Sequence, residues 1–177
     1  MPRPTVLLLA AVMLALSPHL AMGAGTGADT PDMPAESFCT PMLLLKVVDA
    51  DTVAGYIDTS DPEVAVRASL RLEGIDAPET GGRARCVEER WKAREAKAFL
   101  TETLAEALDK PTRSLARVCA VKSDKYARRR LGRLEVKRGR RWLDVAGLML
   151  EQGYALPYWG GRRGMRWCEC LIDGRCP

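Results

Sequence analysis

The feature that most restricts the fold is a switch in hydrophobic period along the chain. Met42 to Val48 and Thr52 to Ile57 are rich in Leu, Val and Ile, and Val64 to Glu73 follows the turn residues Asp58-Thr59-Ser60-Asp61-Pro62. These segments read as three strands of an antiparallel meander. From about Val87 to Leu108 the period lengthens: Ala93, Ala96, Leu100, Leu104, Ala107 and Leu108 recur at helical spacing among Glu, Lys and Arg, and Pro111 follows the end. Arg113 to Val121 and Leu131 to Val136 alternate again as strands, and Trp142 to Gln152 reads as a second helix closed by Gly153. The expected class is mainly β with helices (α+β). Five short strands in this order close most economically as a small barrel. The five-stranded OB-fold barrel, here with one long and one shorter helix packed on it, is the type whose face and loops bind oligonucleotides.

Residues 1–23 read as a secretory signal, with Arg3 ahead of an apolar run from Val6 to Leu16 and small residues at Ala21 and Gly23. The expectation is an exported protein, periplasmic or secreted, with no stable membrane association after cleavage. A flexible leader follows over 24–38, then a globular domain over 39–167 and a cysteine-containing tail over 168–177. The six cysteines are Cys39, Cys86, Cys119, Cys168, Cys170 and Cys176, an even set in an exported chain, which favours disulfides over free thiols. The single histidine, His19, lies inside the signal, so the mature chain has none. That excludes Ser-His-Asp and Cys-His hydrolases and His-ligated zinc enzymes. Chemistry must come from carboxylates, basic residues, hydroxyls, thiols or a metal held by oxygens.

Three clusters contain polar residues that packing does not require. Asp49-Ala50-Asp51-Thr52 ends the first strand, and aspartates at i and i+2 of an extended chain share a side, so they repel unless a cation lies beside them. Arg71-Leu72-Glu73-Gly74-Ile75-Asp76-Ala77-Pro78-Glu79-Thr80 places two carboxylates beside an arginine around a proline turn, which suits metal and phosphate chemistry. Ser123-Asp124-Lys125-Tyr126-Ala127-Arg128-Arg129-Arg130 is a basic loop with an aromatic, and arginine forks match phosphate oxygens. Read singly, these are an Asx turn, a capped turn and a solvated hairpin.

Together, Val48-Asp49-Ala50-Asp51-Thr52-Val53, Arg71 with Gly74-Ile75-Asp76-Ala77-Pro78-Glu79, Asp124-Lys125-Tyr126 with its arginines, and Gly153-Tyr154-Ala155-Leu156-Pro157-Tyr158-Trp159-Gly160-Gly161 resemble the thermonuclease family, the staphylococcal-nuclease-like domain. Trp167-Cys168 is similar to the close of exported bacterial members. The resemblance implies an OB barrel and a Ca2+-dependent hydrolase, a phosphodiesterase of the endonuclease (thermonuclease) type that cleaves DNA and RNA with low sequence specificity as a monomer. It implies Asp51, Asp76 and the backbone carbonyl of Ala77 as calcium ligands, where the family often has Thr at the position of Ala77. It implies Arg71, Glu79 and one arginine of the basic loop as the catalytic set. Counting forward from Asp124 selects Arg128 and counting back from the following strand selects Arg129. A strand register tied to the core is harder to shift than a loop, which favours Arg129. Lys125, Tyr126, Tyr158 and Trp159 are implied on the substrate. The alternative is a non-catalytic OB module that binds oligonucleotide or a protein partner, which has no use for Glu79 aimed at an anion.

Charge is segregated along the chain. Residues 24–109 contain 9 basic and 17 acidic residues, and residues 110–170 contain 16 and 5. The acidic part contains the proposed cation ligands, and the basic part suits a polyanion.

Overall fold

The computed structural model describes residues 38–59, 61, 63–124, 126, 129–161 and 167–176. The signal and almost all of the leader lie outside the described residues, as do Lys125 and Arg128. Strands β1 (Cys39–Asp49), β2 (Thr52–Asp58) and β3 (Ala65–Leu72) form the expected antiparallel meander. A two-residue strand, β4 (Ile75–Asp76), leads through a 3-10 turn at Gly81–Arg83 into α1 (Val87–Thr103) and α2 (Ala105–Asp109). Strands β5 (Ala116–Ser123), β6 (Arg129–Arg138) and β7 (Arg141–Asp144) follow. Then come α3 (Val145–Glu151), β8 (Leu156–Pro157) and α4 (Trp167–Ile172).

The sheet order is β3-β2-β1-β5-β6-β7, and β3 also pairs in parallel with β6. That pairing closes a five-stranded mixed barrel of OB type from β1, β2, β3, β5 and β6, with β7 continuing as a hairpin from β6. Alternation explains the closure: Met42, Leu44, Val53, Leu70, Leu72, Val118, Leu134 and Val136 are buried in the core, while the residues between them take the other side, where Thr52, Ala54, Cys119 and Glu135 are buried as well. Gly55 is required where β2 crosses β1, because a Cβ there would lie 2.3 Å from the Leu43 carbonyl oxygen. Leu100 and Leu104 of the helical segment, and Val145 and Met149 of α3, join the same core.

Two expectations are corrected. Trp142 to Gln152 is not one helix: Arg141–Asp144 pairs with β6 around Gly139, whose φ of +59° makes the reversal, and the helix begins only at Val145. The Asp144 side chain accepts from the Ala146 amide at 3.2 Å, so the helix start is set by a cap that the apolar period does not reveal. The long helix is likewise interrupted at Leu104 (φ −96°, ψ 0°), a buried residue whose altered backbone separates α1 from α2.

All six cysteines pair. Cys39–Cys119 staples β1 to β5, Cys86–Cys168 ties the start of α1 to α4, and Cys170–Cys176 closes the tail. Three disulfides fit an oxidising compartment. No helix of the described residues is long and apolar enough to cross a membrane.

Candidate metal and phosphate site

The β1–β2 turn begins the site. Ala50 and Asp51 form it, with Asp49 opposite Thr52. Because the chain reverses here rather than staying extended, the two aspartates take different partners. Asp49 accepts from the Ala50 amide (3.0 Å), from Thr80 Oγ1 (3.0 Å) and from Arg83 (2.6 Å). Asp51 turns inward and is 5% exposed. It accepts from Thr52 Oγ1 at 2.9 Å and from the Ala77 amide at 3.4 Å.

Cross-strand register brings the second segment to it. Thr52 of β2 lies opposite Arg71 of β3, and the Leu72 amide donates to the Asp51 carbonyl at 2.9 Å. Arg71 forms an ion pair with Asp51 and lies 3.5 Å from Asp76 Oδ1, and it also reaches the Ile75 carbonyl at 3.4 Å. Asp76, 3% exposed, is positioned by the β4–β8 pair, where it faces Leu156. One guanidinium thus serves two buried carboxylates. Burial pushes the Asp51 carboxyl above its usual range, with the nearby Asp49 charge acting in the same direction, and Arg71 with the Thr52 and Ala77 hydrogen bonds opposes the shift without cancelling it.

Glu79 stands on the loop that follows. Its carboxylate pairs with Arg83 Nε at 3.1 Å, and Arg83 in turn holds Asp49, so the Glu79 loop and the β1–β2 turn are bridged by one exposed arginine. Arg129 is the first residue of β6, opposite Ser69, while Arg71 lies opposite Leu131. Paired residues of parallel strands share a side, so Arg129 and Arg71 occupy one face of the β3–β6 closure, two positions apart. Arg129 Nε donates to Asp124 at 2.6 Å and its guanidinium lies 4.4 Å from the Tyr126 ring centroid. The Tyr158 amide donates to the Gly74 carbonyl at 2.9 Å, and Trp159 lies against Gly74 at the β3–β4 turn (φ +83°), 84% exposed.

Asp51, Arg71, Asp76 and Ala77 are therefore in direct contact. Glu79 is joined to them through Arg83 and Asp49. Tyr126 with Arg129, and Tyr158 with Trp159, border the same strands. Two residues are visible only in three dimensions. Glu89, 4% exposed, accepts from the Glu79 amide (3.2 Å) and the Arg85 amide (2.8 Å), holding the loop that presents Glu79. Its one sequence signal is an acid three positions after the helix cap Cys86, where side chains reach back to free amides. Arg83, after Gly81-Gly82, gives none.

Elsewhere among the described residues, carboxylate oxygens approach cysteine sulfurs in two groups, Cys39/Cys119/Glu135 and Cys86/Cys168/Glu89. Both sulfur pairs are disulfides and offer no thiolate. The chain matches no family model and no curated protein, so the geometry carries the functional reading.

Proposed function

We propose that the protein is an exported, calcium-dependent nuclease of the thermonuclease type, hydrolysing phosphodiester bonds of DNA and RNA with low sequence specificity. The observation that carries this reading is the convergence of Asp51, Arg71 and Asp76, from three separate strands or turns, with two buried carboxylates sharing one arginine. Burial raises the proton affinity of Asp51 and Arg71 offsets that only in part, so a cation beside the ionised carboxylate would be favoured. The donor set is all hard oxygen, which fits Ca2+: Asp51, Asp76 and the Ala77 carbonyl would hold it. When bound, the ion would supply the charge that polarises a substrate phosphate.

The chain's own groups would do the rest. Glu79 would accept the proton of the attacking water, from a loop where Arg83 holds its carboxylate. Arg71 and Arg129 share the β3–β6 face, where two guanidinium forks would meet the charge that develops on the phosphoryl oxygens. Lys125 and Tyr126 would border a neighbouring phosphate. Trp159, and Tyr158 beside it, would offer a ring to a base, a contact that every base satisfies and that gives little sequence preference. Export rests on the leading apolar segment and on three disulfides.

The test is incubation with single-stranded DNA and with RNA, each in calcium and in excess chelator. Cleavage of both polymers in calcium alone is expected. Undiminished cleavage in chelator would remove Asp51 and Asp76 from the mechanism. Binding of both polymers without cleavage would favour a non-catalytic OB module.

A further inference from the structure

A second charged region lies on the outside of the barrel, along β5, β6 and β7. The core positions of β6 are Gly132, Leu134 and Val136, so Arg129, Leu131, Arg133, Glu135 and Lys137 face outward. Arg117 of β5, opposite Glu135, donates to it at 2.6 Å, and Arg133 Nε lies 3.1 Å from the same carboxylate. Trp142 of β7, opposite Lys137, carries the Arg117 guanidinium 4.4 Å from its ring centroid. The hairpin then exposes Arg138, Arg140 and Arg141. Arg138 is turned to the Thr103 carbonyl at 2.9 Å, and Arg141, opposite it, shares that side; on the outer side Lys137 lies 6.0 Å from the Trp142 ring centroid, and neither it nor Arg140 at the hairpin tip has a carboxylate partner among the described residues. Glu135 and Asp144 are acids of this face, and Asp124 holds Arg129 at its start.

We infer that the outer face of β6 and the β6–β7 hairpin form a track that holds the backbone of a single-stranded polynucleotide extending from the Arg129 end of β6. This rests on the nuclease reading and adds to it a binding surface outside the catalytic groups. Continuity supports it: the strand that begins at Arg129 ends at Arg138, a run of about 30 Å at the rise of a β-strand. Charge supports it as well. Glu135 is already shared by two arginines, which leaves a net positive surface, and the uncommitted cations are at the hairpin. Phosphates positioned there carry no sequence information, so the track contributes affinity and length preference without selecting bases.

The test is the variant Lys137→Gln/Arg140→Gln, which leaves the Arg117–Glu135–Arg133 cluster and every proposed catalytic residue in place. Binding of a fluorescent 20-nucleotide single-stranded DNA and of a tetranucleotide is measured in chelator over a range of salt, and turnover of both is measured in calcium. For the 20-mer the slope of log K against log salt becomes shallower by about 1.4, the sum of two contacts at about 0.7 each for single strands. Its KM rises about tenfold, kcat is unchanged, and the tetranucleotide is unaffected in both assays. An unchanged slope, or an equal loss for both lengths, overturns the track. Tighter binding of a sulfated polysaccharide than of DNA at equal salt overturns the assigned occupant. Absence of turnover in the unmodified protein, with the slope change intact, defeats the nuclease reading and leaves the track standing. Normal turnover with no slope change does the reverse.

Discussion

Two ion-pair clusters on this barrel have opposite stoichiometry. At the β1–β2 turn one guanidinium, Arg71, serves two buried carboxylates, Asp51 and Asp76. On the outer face of β5 and β6 one carboxylate, Glu135, serves two half-exposed guanidiniums, Arg117 and Arg133. Glu135, at 7% exposed, is buried like the two aspartates, so among the described residues the clusters differ in charge balance and not in the burial of their acids. Counting ion pairs would treat them alike. Counting charge within each cluster separates a place that would take a cation from a place that would take a phosphate chain.

The largest contrast should be in turnover. Glu79→Gln is expected to lower kcat by about 10³-fold, and Arg71→Ala by about 10²–10³-fold, from loss of a base and of a transition-state charge partner. Glu135→Gln should leave kcat within about twofold, because the cluster it belongs to is outside the reaction in this account. Equal loss in all three variants, measured under saturating substrate, would erase the distinction.

Stability should separate the clusters next. Arg71→Ala leaves two buried carboxylates without their shared cation and should cost about 3 kcal/mol at neutral pH. Glu135→Gln keeps an amide oxygen between two arginines that are 24% and 33% exposed, and should cost less, about 1–2 kcal/mol. Urea denaturation of both in chelator gives the comparison.

These contrasts also mark what was legible in the chain. The period switch located the meander, the helical segment and the β5–β6 strands, because each buries one face whatever it packs on. Helix ends were not legible: the start of α3 depends on Asp144 reaching the Ala146 amide, and the break at Leu104 has no local breaker residue. Within the site, Asp51, Arg71 and Asp76 belong to two short motifs and were readable together. Glu89 and Arg83 were not, because each acts by closing a distance between segments.

Glu89 offers a smaller test of the same region. Glu89→Gln replaces one carboxylate oxygen facing a backbone amide with an NH2 group, which should cost about 1–2 kcal/mol. With the Glu79 loop less firmly held, kcat should fall about tenfold at unchanged KM. A KM change with constant kcat would assign Glu89 to binding instead.

The smallest expected effect is in pH dependence. The Asp51 carboxyl is raised in the folded protein, so the fold binds this proton more tightly than the unfolded chain. In chelator its share of stability is therefore greatest at acid pH and is lost as pH rises through its folded value. The difference in melting temperature between the unmodified protein and Asp51→Asn should trace that loss. Excess calcium should reverse it at neutral pH, since the ion binds only the ionised carboxylates. A pH-independent difference would mean that Asp51 is already fully compensated by Arg71.

The central claim is that the Asp51–Arg71–Asp76 cluster is a cation site for phosphodiester hydrolysis, and cleavage of single-stranded DNA by the unmodified protein and by Asp51→Asn in calcium tests it most directly. Rapid cleavage by the unmodified protein, abolished by chelator and reduced at least about 10²-fold in the variant at matched calcium, is the expected result. Equal rates in the two proteins, or rates indifferent to calcium, would contradict it.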